Sequence, residues 1–553
     1  MNKINISINK GPLFQVPAGL SLLQLLDRFR AGSEHQKYLA IKNNLFASLN
    51  EIVDRDSSIS FLNNFHESSR RAYENASILM LHYIIDNYFP EKRLLVLHSM
   101  CDGVYCELSP DGDITDLSIS TIVSRFNELV AADLSIKPEL LSSVDAIDYF
   151  EKHNHRDTAE LIRFCSQDHV ILYSINGALF WLPSPPAPST GSIKTYAIIK
   201  YKRGFVLRTP VENTPNKIHP FSNQERLYEI FDETVRWGNI LDITNISQLN
   251  KLIASDKISE LIKISEALHE KKIAAIADII DKHHGEKRLI FVAGPSSSGK
   301  TTFMKRLYIQ LRVLGHRVVS LSLDNYFKDR DKLVRATGAK IDYESLNAID
   351  LKLINNQLKD LLRGKKVIPP TYDFIAGKKK SGNTELQADK NTLFIIEGIH
   401  GINPGLTENI DEKFKFKIYL SALTHLNYDN TNRIPTHDLR LIRRIVRDSK
   451  YRGYSAAQTI KIWKSVVEGE KRYIFKHQGE ADVMFNSSLA YEICALKQPA
   501  ELALRIVKDN DTSHPEAYRL LNMLSYFRPI NDKEIPSTSI LREFIGDSSF
   551  KYH

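Results

Sequence analysis

Gly294-Pro295-Ser296-Ser297-Ser298-Gly299-Lys300-Thr301 fits the pattern G-x-x-x-x-G-K-[ST] without a gap. Glycines let the backbone wrap a phosphate closely, and successive N–H groups point inward at the positive mouth of a helix. Lys300 would reach the β- and γ-phosphates, and the Thr301 hydroxyl would hold Mg²⁺. The flanks agree, since residues 288–293 read as a strand and residues 301–315 as a helix. A serine-rich turn is the bland alternative, and the strand–loop–helix context disfavours it. The stretch reads as a nucleotide triphosphate site.

Outward from it, residues 286–500 alternate strand and helix patterns, which predicts a parallel sheet with crossover helices. Near-continuous apolar runs at 289–293, 318–323 and 393–396 suit strands buried on both faces. The second run ends in Asp324-Asn325-Tyr326, and a carboxylate at the end of a central strand faces the ligand crevice of an open α/β sheet. Asp324 would there accept or orient an acceptor hydroxyl's proton. An Asx turn or helix cap fits the same spacing equally well. Glu397 follows the third run and is placed to hold Mg²⁺ or its water. Arg440, Arg443, Arg444, Arg447 and Arg452 fall within 13 positions, the first four on one helical face. Such a face closes over phosphates and offsets charge developing in transfer, or else is a solvated face or an RNA patch.

At roughly 100–200 residues per domain, 553 residues predict about three to five domains. Ile4, Ile6 and Ile8 alternate with polar residues, break at Lys10-Gly11-Pro12 and resume, which predicts a hairpin. Ser21 then caps a short helix, and strands near 39–41 and 59–62 complete a unit over 1–65. Residues 66–210 read as a second α+β domain, with a helix through 76–88, a strand at 93–98, a stiff proline-rich loop at 183–188, and strands at 196–201 and 205–207. A helical connector over 211–285 opens on the capping-box spacing Ser222-Asn223-Gln224-Glu225. Its last helix carries Ile258, Leu261, Ile262, Leu268, Ile273, Ile276 and Ile280 at helical period. The tail, 501–553, is expected to hold one helix and to pack on the 286–500 domain.

Lys and Arg total 74 against 66 Asp and Glu, and the small excess of +8 suits anionic small ligands as well as RNA. A hydrophobic share of 42% with 25% charged residues excludes global disorder. Four scattered cysteines make no disulfide framework and point to a reducing, cytoplasmic compartment. Cys101 and Cys106 lack a second ligand pair, which speaks against zinc there. No run approaches the roughly 18 apolar residues of a membrane span, and no signal core opens the chain. Surface or capping roles are expected for His153, His155, His283 and His284, and a solvated loop for 378–380.

The blocks GPSSSGKTT, SLDNYF, DYESLNAID, PTYDF, IIEGIHG and RLIRRIVRDSKYRG stand in the order found in the uridine kinase/phosphoribulokinase family of P-loop kinases, which the chain resembles there. Residues 1–210 resemble the N-terminal part of threonyl-tRNA synthetase, a TGS-type β-grasp domain followed by an editing-like domain. The implied architecture is multidomain: these two parts, then an α/β P-loop kinase with helices on both faces of a parallel sheet. The resemblance implies ATP on Gly294 to Thr302, including Pro295, Ser296, Ser297 and Ser298, with Mg²⁺ at Thr301 and Glu397. It implies Asp324 as the catalytic carboxylate beside Lys300, with Arg443, Arg447 and Arg452 as lid arginines. Tyr326 and Tyr372 would line the acceptor site, and Glu344 would contact ribose hydroxyls.

Two departures matter. The uridine–cytidine kinases carry a pyrimidine-reading histidine five residues after the block's tyrosine, where this chain has Gly377. Asn75 and Leu79 fall where the editing domain's metal-binding histidines belong, so synthetase-type editing should be absent and that domain should bind, position or regulate. The expectation is an ATP-dependent nucleoside kinase acting on the 5′-hydroxyl of uridine or cytidine. Its alternatives are a P-loop kinase of another small alcohol and a regulatory or RNA-binding ATPase. Aromatic residues in 1–210 are not interleaved with basic ones, which tilts against RNA. The resembled kinases are often homo-oligomers, and the sequence fixes no number.

Overall fold

β1 (Lys3–Ile8) pairs antiparallel with β2 (Leu13–Pro17), and Ile4, Ile6 and Ile8 all turn to the buried face. That is the period-two burial of a half-buried strand. β3 (Lys37–Lys42), β4 (Leu45–Ser48) and β5 (Ser57–Asn63) complete a mixed sheet in the order β2-β1-β5-β3-β4, with β1 and β5 parallel. α1 (Leu22–Arg28) starts on a capping box in which Ser21 and Gln24 satisfy each other's N–H groups. The computed structural model describes residues 3–29, 35–110, 113–165, 167–211, 214, 216–337, 342, 344–373, 376–382, 384–424 and 426–552. No helix among them is long and apolar enough to cross a membrane.

α2 (Glu67–Tyr88) begins before the expected residue 76, capped by His66. β6 (Arg93–Met100), β7 (Gly103–Ser109), α3 (Asp116–Ala132), β8 (Lys137–Ser142), α4 (Ser143–Lys152) and α5 (Arg156–Phe164) follow. Then come β9 (His169–Ile175), β10 (Ala178–Trp181), β11 (Ala197–Tyr201) and β12 (Gly204–Arg208). They form two antiparallel sheets, β11-β12-β7-β6 and β8-β9-β10, and residues 183–188 run between elements as expected. Ile84, Val96, Cys106, Phe126 and Phe205 share one buried core. Sequence periodicity did not disclose α3, because only Ile122 and Phe126 of its 17 residues are buried.

The capping box at 222–225 does not form. α6 (Glu225–Ile240) starts after Gln224 without a side-chain cap. The acid of the box is engaged elsewhere, since Glu225 pairs with Lys202, and its neighbours are held too, Asn223 Oδ1 accepting from the Tyr201 hydroxyl and Gln224 Oε1 from the Cys101 N–H. α7 (Ile246–Ala254) ends this run.

The described chain divides into two units, 1–255 with 425–435 and 504–528, and 256–424 with 436–503 and 529–553. This corrects the expected single tail over 501–553, because 504–528 belongs with the N-terminal unit. Asn250, buried on α7, explains part of that. Its Nδ2 donates to the Tyr526 carbonyl at 2.8 Å and its Oδ1 accepts from the Arg528 N–H at 2.9 Å.

In the second unit, α8 (Ile258–Lys282) precedes β13 (Leu289–Ala293), α9 (Lys300–Val313) and β14 (Arg317–Ser322). α10 (Arg330–Thr337), α11 (Leu351–Leu362), β15 (Thr392–Glu397), β16 (Lys415–Ser421), α12 (Thr436–Tyr451), α13 (Ala456–Tyr473), β17 (Val483–Asn486) and α14 (Glu492–Arg505) follow. The five strands are all parallel in the order β14-β15-β13-β16-β17. Residues 378–381 are a strand and not a solvated loop, paired with Pro370–Asp373, and Lys379 bonds Asp350 at 2.6 Å.

Asn250→Ala strands one carbonyl and one N–H in a buried site. The N-terminal unit should lose roughly 2 kcal/mol or more, read as an earlier denaturant midpoint of its transition.

Candidate functional site

The loop between β13 and α9 has the backbone its sequence demanded. Gly299 is the left-handed N-cap of α9 at φ +85°, and a Cβ on Gly294 would collide with the Leu420 carbonyl. For the loop to turn its N–H groups inward, its carbonyls must find donors on the outside. Ser296 O accepts from Arg440 at 3.1 Å, Ser297 O from Arg443 at 3.3 Å, and Ser298 O from the Ser487 hydroxyl.

These contacts divide the arginine stripe. Arg440 makes a bidentate pair with buried Glu470, at 2.6 and 2.7 Å. Arg443 is fully buried, and Glu492, the Ser487 carbonyl and hydroxyl, and Ser297 O take its donors. The expected lid role of Arg443 is corrected accordingly, because it supports the loop from behind and has no donor left for a phosphoryl group. Arg444, Arg447 and Arg452 instead converge on the single buried carboxylate of Asp448. Three guanidinium groups against one carboxylate leave net positive charge on the cleft side, and Arg444 also reaches the Ser296 hydroxyl at 2.9 Å.

β14 delivers Asp324 into the same cleft on a short 3-10 turn that continues the strand. The carboxylate stays open to solvent. Protein packed around the cleft raises it above its ordinary value, while Lys300 and Arg452 pull the other way. Lys300 Nζ donates to the Pro295 carbonyl at 3.0 Å. Burial lowers its pKa, against the carboxylates of Glu397, Asp324, Glu543 and Glu470.

Glu397, at the end of β15, accepts from the Thr301 hydroxyl at 3.4 Å. Its other oxygen is buried with no hydrogen-bond partner among the described residues. Burial pushes its carboxyl up to about 7. A hydroxyl beside an orphaned carboxylate oxygen is a donor set that fits hydrated Mg²⁺.

Glu344 sits beyond, at the room left by Gly469, and burial pushes it too up to about 7. Tyr372 is buried against Phe327, its N–H donating to Asn325 Oδ1 at 3.2 Å. Tyr326 is corrected from a lining to a packing residue. It lies in the core with its hydroxyl on Gln357 at 2.8 Å. At Gly377, φ is +66° and a Cβ would stand 2.6 Å from Arg330 Nε, so a side chain here would strain the backbone and have to displace Arg330.

Sequence reasoning missed Glu470, Glu492, Ser487, His400 and Glu543. His400 is fully buried beside the Glu344 and Ser345 backbone, and burial pushes it down to about 4. Glu543, on the short helix Arg542–Ile545, accepts from the Thr302 N–H at 3.3 Å and hydroxyl at 2.7 Å. Tyr552 adds a bond to the same hydroxyl at 2.8 Å. No local sequence pattern marks these distant partners.

A phosphate loop at the head of a five-stranded parallel sheet, with Glu397 on the adjacent strand β15 and Asp324 on β14 beyond it, is the arrangement of a P-loop phosphotransferase. Residues 289–493 match the model of the phosphoribulokinase/uridine kinase family. A uridine kinase of Lactobacillus johnsonii is 30% identical over 206 residues, covering 35% of this chain and 89% of its own. A uridine kinase of Ligilactobacillus salivarius is 33% identical over 181 residues, covering 32% of this chain and 75% of its own. The solved phosphoribulokinase of Rhodobacter spheroides is 21% identical with a TM-score of 0.25, covering 36% of this chain and 70% of that one. The chain belongs to the phosphoribulokinase/uridine kinase family, and it is a phosphotransferase with an alcohol group as acceptor.

Arg443→Ala orphans a buried Glu492 and should destabilise the second unit by roughly 3–5 kcal/mol, whereas half-exposed Arg452→Ala should move its melting by less than about 1 kcal/mol. Calorimetry on both variants separates the roles. Glu397 binds an extra proton when folded between its ordinary 4.5 and about 7. Its contribution therefore favours folding at the acid end and is lost as pH rises through about 7. Nucleotide-free Glu397→Gln should lack that part of the fall in melting temperature, on the order of 2 kcal/mol between pH 5 and 8.

Proposed function

We propose that this chain is an ATP-dependent nucleoside kinase that phosphorylates a 5′-hydroxyl, with uridine and cytidine the first acceptors to test. The observation that carries the reading is Asp324, an open carboxylate at the end of β14 in the field of Lys300 and Arg452. The two sequence relatives named above are uridine kinases, which sets the order of the acceptors.

In this reading the loop N–H groups and Lys300 hold the ATP phosphates. Thr301 and Glu397 would hold Mg²⁺, which neutralises charge on the phosphate oxygens. Asp324 accepts the proton of the acceptor hydroxyl as its oxygen bonds to the γ-phosphorus and the bond to the β–γ bridging oxygen breaks, releasing ADP. Arg447 and Arg452, with Arg444, offset the charge spread over the transferring group. Glu344 and Tyr372 line the acceptor side. Gly377, with Arg330 against it, favours a second acceptor class, another small alcohol that needs no base-reading imidazole.

For the N-terminal unit, the mixed sheet with parallel β1 and β5 supports a TGS-like β-grasp domain over 1–65, and the following α+β portion supports an editing-like domain over 66–210. Buried Asn75 is engaged with Ser184, and Leu79 lies in the core, which favours binding or regulation over synthetase-type hydrolysis. Four unpaired buried cysteines suit the cytoplasm.

The test is ATP consumption with Mg²⁺ across nucleosides and sugar alcohols, beside Asp324→Asn. One nucleoside should stimulate turnover, and the variant should lose about 10²-fold or more in kcat. Stimulation only by a non-nucleoside alcohol selects the second reading. Undiminished activity in the variant removes Asp324 from the mechanism.

A further inference from the structure

His82 and Asp86 stand four apart on α2, hence on one face, and His155 comes to meet them from the turn before α5. His155 occupies the N-cap position of α5 but makes no side-chain cap bond. Its ring turns instead to Asp86, with Nε2 3.1 Å from Oδ2. His82 Nε2 lies 3.5 Å from the same oxygen. Among the described residues these three are the group whose His and carboxylate ligand atoms all lie within 4.8 Å of one another.

One N–H···O bond accounts for His155. It leaves His82 unexplained, because 3.5 Å exceeds ordinary N–H···O reach of about 2.7–3.2 Å. A tetrahedral ion with ligand bonds of about 2.0–2.1 Å requires ligand atoms roughly 3.3–3.4 Å apart. The two separations from Asp86 Oδ2, 3.1 and 3.5 Å, bracket that edge, and the third, between the histidines, is within 4.8 Å. The rings are also set for it. The imidazoles meet at 89° with centroids 4.8 Å apart, and Phe180 packs on His82 at 4.9 Å. Phe150 flanks His155 at 6.3 Å. The histidine side chains are only 12% exposed, whereas Asp86 at 25% keeps an opening to water.

We infer that His82, Asp86 and His155 form a Zn²⁺ site, with a water in the fourth position. Two imidazoles and one carboxylate select a borderline d-block dication over Mg²⁺ or Ca²⁺, which favour all-oxygen sets. The surrounding charges are Asp157 and Arg93, of opposite sign, and Arg93 is engaged by the Pro90 and Lys92 carbonyls. The site is separate from Asn75 and Leu79, where the synthetase-like pattern would place its histidines. It lies further along the same helix and uses a residue from another element. Bound zinc would staple α2 to the α4–α5 corner. The inference does not depend on the kinase reading.

The full chain, stripped with EDTA, would be titrated with Zn²⁺ against a chromophoric chelator. The parent should bind one equivalent per chain at low micromolar affinity or tighter, with a higher melting temperature. Co²⁺ in its place should give tetrahedral d–d bands. His82→Gln/His155→Gln should lose the equivalent, the bands and the melting shift while keeping its far-ultraviolet circular dichroism. Asp86→Asn, which preserves shape, should weaken binding at least about 10-fold. His153→Gln, at an exposed neighbour, should bind as the parent does. Absence of a zinc equivalent in the parent overturns the site, and so does an unchanged equivalent in the double variant.

Discussion

A phosphate loop that points its N–H groups inward must satisfy its carbonyls on the other side, and two buried ion pairs do this here. Arg440–Glu470 and Arg443–Glu492 lie under the loop, and their arginines bond the Ser296 and Ser297 carbonyls. Burying such pairs gains little net stability, because desolvation offsets most of the attraction. What they contribute is position. A bidentate arginine has a fixed fork, and each carboxylate fixes the fork that holds the loop. Glu470 also accepts the Ser296 N–H at 2.7 Å, so one carboxylate ties two sides of the same residue.

On the open side the balance of charge reverses. Asp324, Glu344, Glu397 and Glu543 surround Lys300, and two of the four, Glu344 and Glu397, are pushed up to about 7. Carboxylates this buried, with like charges beside them, lower their free energy by taking a proton or a cation. A site built this way is strained toward binding a cation together with its anionic partner. The arginines around Asp448 supply positive charge, Arg452 acting on Asp324 and Arg444 on Glu344. Glu543 adds a negative group against the Thr302 N–H, at the mouth of α9 where a helix welcomes an anion.

Much of this was legible in the sequence because it is local. The loop, its strand and its helix follow from adjacent residues, and so does the delivery of Glu397 by a strand buried on both faces, whereas β14, which carries Asp324, is an edge strand that is only partly buried. The arginine face was also legible as a face. Which arginines point at solvent and which at Glu470 or Glu492 was not, since those carboxylates lie 30 and 49 positions away. Tyr326 shows the same limit. Its block fixed its place on the chain, while Gln357 and the surrounding core decided that its hydroxyl faces inward. The unformed box at Ser222 fails for a related reason, as Glu225 pairs with Lys202, a partner 23 positions away.

The division of the chain is the part least visible in one dimension. Residues 425–435 interrupt the kinase portion between β16 and α12, yet they belong to the N-terminal unit. Asn427 Nδ2 donates to the Val96 carbonyl, and the Val96 N–H donates to Asn430, so this segment caps β6 from both directions. Asp429 is buried with bonds from Thr158, Thr431 and Asn432, a network with no solvent to replace a missing member. Helix His514–Ser525 lies in that same unit, its buried Leu520 and Leu524 in a segment read as kinase tail. The chain therefore leaves and re-enters this unit, and residues 1–255 alone lack groups their own backbone needs. Val96 would lose both partners and α7 the carbonyl held by Asn250. The N-terminal unit is thus completed only by segments that follow the phosphate loop in the chain.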